Sequence, residues 1–124
     1  MGPSESAQTA APSGRRTDYG FVVTAIDIDP AAWHRLGGFF ADLEAADCGS
    51  IWLTDHLFSG HPSAEPFVLA GVAAAATNRC RVGTGVLQLP LRRSAVVAKA
   101  ATTLQLVSGG RFVLGVGVGH HPRE

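Results

Sequence analysis

The chain has 124 residues, ten Lys or Arg against ten Asp or Glu, and 46% apolar against 16% charged residues. That balance excludes a disordered or fibrous chain and describes one soluble globular domain. The basic residues are spread along the sequence, so there is no electrostatic footprint for nucleic acid or an anionic membrane, and a small organic molecule is the expected partner.

Residues 1–18, MGPSESAQTAAPSGRRTD, are rich in Ser, Ala, Gly and Pro and contain no apolar run for a signal peptide or membrane span. They read as a disordered leader on a cytoplasmic protein, with the folded domain over 19–124. The first strand is expected at GFVVTAI, residues 20–26, a short and partly β-branched apolar run. The period then changes: Trp33, Leu36, Phe40 and Leu43 recur at three and four residues, with Phe39 and Ala46 widening the stripe of an amphipathic helix. Asp29 is placed to cap it, Pro30 to open it, and Gly49 to take the left-handed conformation after its last turn.

SIWLT, residues 50–54, is the second strand, followed by a Gly-, Pro-, Ser- and His-containing loop and a helix over 66–77, PFVLAGVAAAAT. CRVGTGVL, residues 80–87, is the third strand; a helix with Ser94 as its N-cap then runs to Val107 and stops at SGG. RFVLGVGVG, residues 111–119, is the fourth strand. The order β-α-β-α-β-α-β, with strands apolar on both faces, predicts a parallel α/β sheet with right-handed crossovers. Periodicity leaves a doubly wound sheet and a (β/α)8 barrel equally open.

In either architecture chemistry gathers at the carboxyl ends of the strands. Asp27 and Asp29 fall there, as do Asp55 and His56, the glycine-containing Gly83, Thr84 and Gly85, and Gly117, Gly119, His120 and His121. Asp55 and His56 offer a carboxylate and an imidazole suited to holding a ring N–H and moving a proton near neutral pH. The competing reading is an aspartate that caps the next turn beside a solvated histidine. GVGVGHHPRE has GxGxG spacing with Pro122 close behind, so it does not fit a dinucleotide-binding loop. Its glycines, like those of VGTGV, would let a flat ligand lie against bare backbone, or would relieve crowding within the sheet. The histidines, at 34, 56, 61, 120 and 121, show no HxH or HExxH spacing, which argues against a metal. Arg92 and Arg93 are expected to be a solvated pair ahead of a helix rather than a phosphate contact. The two cysteines, Cys48 and Cys80, lack CxxC spacing and read as buried, reduced thiols.

IWLTDHLF and EPFVLAGVAAAATNRCRVGTGVLQLPLRRSAVVAKAATTLQLVSGGRFVLGVGVGHHPRE resemble the amino-terminal half of the luciferase-like monooxygenases, the superfamily of bacterial luciferase and the deazaflavin (coenzyme F420) dependent oxidoreductases. The resemblance implies the first half of a (β/α)8 TIM barrel with parallel strands, and FMN or coenzyme F420 as cofactor. It implies that Asp55 approaches the cofactor ring and that His56 is an acid/base group or substrate contact. By the same resemblance Gly85 and Val86 match a site where a non-proline cis peptide often backs the ring, with Thr84 beside them as a further cofactor contact, and Gly117, Val118 and Gly119 match the wall of the ring pocket. His120 stands where some deazaflavin members carry a glutamate. The chemistry would be the cofactor's, oxygenation with reduced FMN or hydride transfer with deazaflavin, while the protein orients, manages protons and excludes water. A complete barrel takes about 250 residues. The expectation is therefore an oxidoreductase fragment or split subunit that a second copy or a partner completes; the alternative is a non-catalytic remnant that keeps the ring pocket.

Overall fold

The structure is a computed structural model that describes residues 19–24, 29–57 and 62–119. The expected leader, Asp27, His61, His120 and His121 lie outside the described residues. β1 (Gly20–Val23), β2 (Ser50–Leu53), β3 (Arg81–Thr84) and β5 (Phe112–Val113) form one parallel sheet in the order β1-β2-β3-β5. β4 (Leu87–Gln88) and β6 (Val116–Gly117) pair in parallel beyond it, Leu87 with Val116 and Gln88 with Gly117.

The strand order settles what periodicity left open. A doubly wound sheet reverses direction and covers both faces with helices. Here each strand lies beside its predecessor, and α1 (Leu36–Ala45), α2 (Pro66–Ala76) and α3 (Ser94–Val107) pack in succession, α1 on α2 and α2 on α3. One core joins them to the sheet: Phe40, Leu69, Ala70, Ala73 and Leu104 from the helices meet Ile51, Leu53, Val82 and Phe112 from the strands. Each large apolar side chain buried this way contributes about 1.5–3 kcal/mol. This singly wound arrangement is that of a partial (β/α)8 barrel.

Alternation along the strands turns the other set of residues to the inner face, away from the helices. Trp52 lies there across its neighbours. A Cβ on Gly20 would come within 2.9 Å of the indole Nε1, and one on Gly83 within 2.7 Å of Cζ3, so both flanking strands are bare where the ring crosses them. The indole N–H donates to Ser50 Oγ at 3.0 Å.

Several boundaries differ from expectation for local reasons. The first helical segment opens as a 3-10 turn, Pro30–Arg35, with Asp29 Oδ1 accepting from the Ala31 amide at 2.9 Å. Its continuation α1 ends with Asp47, not Gly49, in the left-handed region (φ 68°); aspartate tolerates that conformation, and the Gly49 amide donates to Tyr19 O in the sheet ladder. Ser94 is the first residue of α3, and the N-cap position falls on Arg93, which makes no side-chain cap bond. The stop at SGG is as predicted, with Gly109 and Gly110 at positive φ.

The expected third and fourth strands are each split in two. Between β3 and β4 the Gly85–Val86 peptide is cis. Between β5 and β6, Gly115 leaves the ladder and is held by Thr84, whose hydroxyl donates to Gly115 O at 2.7 Å and accepts from its N–H at 3.1 Å. The Leu87 amide also donates to Gly115 O. A side-chain hydroxyl thus replaces ladder bonds at the break.

Candidate functional site

The carboxyl end of the sheet gathers β2, β4, β6 and the loop before α2. Asp55, one residue beyond Thr54 at the end of β2, is 4% exposed, and both its carboxylate oxygens are occupied. Oδ1 accepts from Arg92 Nη2 at 2.8 Å; Oδ2 accepts from Arg92 Nε at 3.2 Å and from the Gln88 amide at 2.9 Å. The Asp55 carbonyl accepts from Gln88 Nε2 at 2.9 Å. Arg92 continues to Glu65 Oε1 at 2.7 Å, while Glu65 Oε2 caps α2 through the Val68 amide. Burial opposes the Arg92 charge, but the carboxylates of Asp55 and Glu65 outweigh it and push the guanidinium above its ordinary value.

This corrects the reading of Arg92 as solvated: its side chain is 15% exposed and doubly ion-paired. Arg93, beside it, is exposed. Asp55 in turn has three donors on its carboxylate and little exposed surface. Its neighbour His56 is half-buried and, with Ser63, Ala64 and Glu65, lines a cavity of about 190 Å3 whose floor includes Asp55 and Arg92. The Ser63 hydroxyl donates to His56 O at 2.6 Å, tying the two sides of the loop.

Gly85 and Val86 form a ledge at the same end. Val86 is 45% exposed and Val118 84%. Gly117 supports the ledge from behind, since a Cβ there would stand 2.6 Å from Val86 Cγ2. Gly119 (φ 77°) is packed against Gln88, with room for a Cβ only 2.5 Å from Oε1. Thr84 is fully buried behind the ledge, its hydroxyl taken up by Gly115, so it props the ledge and presents no surface. Of the sequence-predicted residues, the structure therefore brings Val86, Gly85, Gly117, Val118 and Gly119 to one rim, sets Asp55 and Thr84 beneath it, and leaves His120 outside the described residues.

Gln88, Glu65 and Trp52 belong to this end as well and were not singled out by sequence. A glutamine inside an apolar run, LQL, was the available signal for Gln88. Thr54 Oγ1 is buried without a hydrogen-bond partner, two residues past Trp52 and, like Gly85, one past the last β2–β3 pair, Leu53 with Thr84. Among the described residues no cluster of His, Cys, Asp or Glu is arranged to hold a metal. No described helix is long and apolar enough to cross a membrane.

A singly wound parallel α/β sheet with its polar cluster and glycine-backed ledge at the carboxyl rim defines a barrel-type fold with the site where such folds do chemistry. The chain belongs to the luciferase-like monooxygenase family, whose profile matches residues 8–124. It is 34% identical over 117 residues to an F420-dependent glucose-6-phosphate dehydrogenase of Kineococcus radiotolerans, which covers 90% of this chain and 34% of that protein. It is 39% identical over 75 residues to 4-hydroxyprotoasukamycin monooxygenase of Streptomyces nodosus subsp. asukaensis, 60% of this chain and 20% of that one. The fold is similar to that of the oxygenating constituent of 3,6-diketocamphane monooxygenase from Pseudomonas putida, solved with FMN, at a TM-score of 0.75 and 18% identity over 86% of this chain and 30% of that one. The chain thus spans between a fifth and about a third of the length of these proteins.

Proposed function

We propose that this chain supplies the ring-binding half of an oxidoreductase that uses FMN or coenzyme F420 on a small organic substrate. The observation that carries the reading is the Val86 ledge: a half-exposed apolar side chain backed by Gly117, at the same carboxyl end of the sheet as the His56 cavity. The residues present fit a flat, partly polar ring. The ledge supplies an apolar surface, the glycines allow close approach, and the unpartnered Thr54 hydroxyl lies, like Gly85, one residue past the last β2–β3 pair. When bound, the cofactor would supply hydride transfer or oxygen activation. Gly85, Val86, Gly117, Val118 and Gly119 would seat the ring, and His56 would handle a proton at the cavity. Asp55 would act from beneath, because its oxygens are engaged. One relative is F420-dependent by name and one protein of similar fold was solved with FMN, which supports keeping both cofactors.

Both edges of the sheet open onto apolar troughs of about 330–340 Å3, one beside β1 between Val23, Leu36 and Phe39, the other beside β5 between Leu106, Phe112 and Leu114. Phe21, 44% exposed, stacks edge-on against Phe39 at the first. In the working protein the remaining strands of a barrel would cover these edges. A cytoplasmic setting goes with this reading, since Cys48 and Cys80 are buried thiols. Burial first, then the Glu44 charge, pushes the Cys80 thiol up to about 11, which keeps it inert.

Fluorescence titration with FMN and with F420, alongside light scattering, tests the proposal. Weak, saturable binding of one cofactor that strengthens in associated species is expected. Absence of binding to either in any assembly would overturn it, and sub-micromolar binding by a proven monomer would remove the need for a completing half.

A further inference from the structure

We propose that Arg92 and Gln88 are positioning residues that clamp Asp55 and thereby hold His56 and the Gly85–Val86 ledge at a fixed separation. The inference rests on the oxidoreductase reading above and deepens it, because it assigns the Asp55 carboxylate to geometry instead of to the ring.

The clamp is built from four bonds to a single residue. The planar guanidinium of Arg92 grips both Asp55 oxygens, at 2.8 and 3.2 Å, in the two-pronged manner that lysine cannot copy. Gln88 takes Asp55 from the main-chain side, its amide donating to Oδ2 and its side chain to the carbonyl, both at 2.9 Å. What the clamp joins follows from chain connectivity. Asp55 is bonded directly to His56, and Gln88 stands two residues beyond Val86. Gln88 also pairs with Gly117, and its Oε1 packs on Gly119. His56 and Val86 are therefore within two residues of the clamp, Gly117 and Gly119 touch it, and Gly85 and Val118 are the chain neighbours of these. Glu65 extends the tie to the start of α2, since it holds Arg92 with one oxygen and the Val68 amide with the other.

Buried ion pairs of this kind contribute little net stability compared with apolar substitutes, because desolvation offsets their attraction. Their value is a fixed geometry, and a reacting pair misplaced by about 1 Å loses much of its rate or affinity. Geometry is what a ring held between a ledge and a histidine requires.

The test compares Arg92→Met, Arg92→Lys and Gln88→Leu with Glu44→Gln, a variant at the opposite end of the sheet. For each, the midpoint of thermal unfolding is measured first. FMN and F420 are then titrated well below that midpoint, and the visible absorption band of bound FMN is recorded. Arg92→Met and Gln88→Leu are expected to weaken binding by about tenfold or more and to alter the band. Arg92→Lys should recover part of the loss, and Glu44→Gln should keep the wild-type affinity despite a lower midpoint. Wild-type affinity and an unaltered band in the folded Arg92 and Gln88 variants would overturn the proposal. So would an equal loss in Glu44→Gln, which would mark the effect as one of general stability. If the wild-type chain binds neither cofactor, the functional reading fails, and the clamp is judged by hydrogen exchange at the Gln88 amide. Exchange about tenfold faster in the Arg92 variants upholds it, and unchanged exchange removes it.

Discussion

At the amino-terminal end of the sheet Glu44 and Arg111 direct their charges at backbone groups, whereas at the carboxyl end Asp55, Glu65 and Arg92 direct theirs largely at one another. Glu44, buried on α1, accepts from the amides of Asn78, Arg79 and Cys80 at 2.6–3.0 Å and so caps the turn from α2 into β3. Arg111 donates to the carbonyls of Ala74, Thr77, Cys80 and Ser108 and to Thr77 Oγ1, closing the end of α2 from the other side. The carboxyl-end cluster borders the cavity lined by His56, Ser63 and Ala64. In a parallel barrel the first arrangement serves the scaffold and the second serves the site, so the two ends should separate experimentally into stability and binding.

The largest effect is expected at Arg111. Arg111→Met removes five donors' worth of contacts and leaves the carbonyls at the end of α2 unpaired in a protected position. A loss on the order of 3 kcal/mol is expected in urea unfolding, a large fraction of what a domain of this size has. A loss below about 0.5 kcal/mol would show that the amino end is not the scaffold.

Glu44 sharpens the same contrast through pH. Burial pushes its carboxyl up, but the amides of Cys80, Asn78 and Arg79 and the charge of Arg79 outweigh that and lower it from 4.5 to about 2. A depressed value in the folded state means that the stabilisation is complete above 4.5 and disappears as pH falls toward 2. Urea midpoints of the wild type should therefore fall steeply across that window. In Glu44→Gln the amides keep a neutral acceptor, so about 1–3 kcal/mol is lost at neutral pH and the slope across the window flattens. An unchanged slope would assign the acid sensitivity to other carboxylates.

Much of this contrast was legible in local sequence and some was not. The limits of α3, the cap by Asp29 and the step from Trp52 and Leu53 to Asp55 and His56 follow from nearest-neighbour chemistry. Glu44 left a signal too, since it falls four residues after the buried Phe40 on one helical face. What escaped is non-local. Barrel and open sheet share one pattern of elements and differ in which strands touch. The hydrogen-bond partners of Asp55 lie 33 and 37 residues away, beyond the reach of any local pattern. Arg92 looked solvated because an arginine pair before a helix carries no mark of the carboxylates waiting behind it. The break in the third strand falls at Gly85–Val86, where the family resemblance places a cis peptide; the break in the fourth was hidden because the apolar run continues through it and only Thr84, reaching across to Gly115, shows where the ladder changes.

Gly117 offers the smallest change in stability and the most direct probe of the ledge. Its backbone is outside the left-handed region, so alanine is tolerated by the main chain, but the new methyl would meet Val86 Cγ2 at 2.6 Å and one of the two must move. Val86 is the one free to do so, because nearly half of it faces outward. Stability should then change by less than about 1 kcal/mol, because the exposed Val86 side chain absorbs the clash. The ledge, however, would present a displaced side chain, and cofactor affinity should drop severalfold in the same fluorescence titration. An unaltered affinity would mean that the ring does not rest on Val86. A stability loss as large as that of Arg111→Met would mean that the carboxyl end carries the scaffold as well, and the division between the two ends of the sheet would not hold.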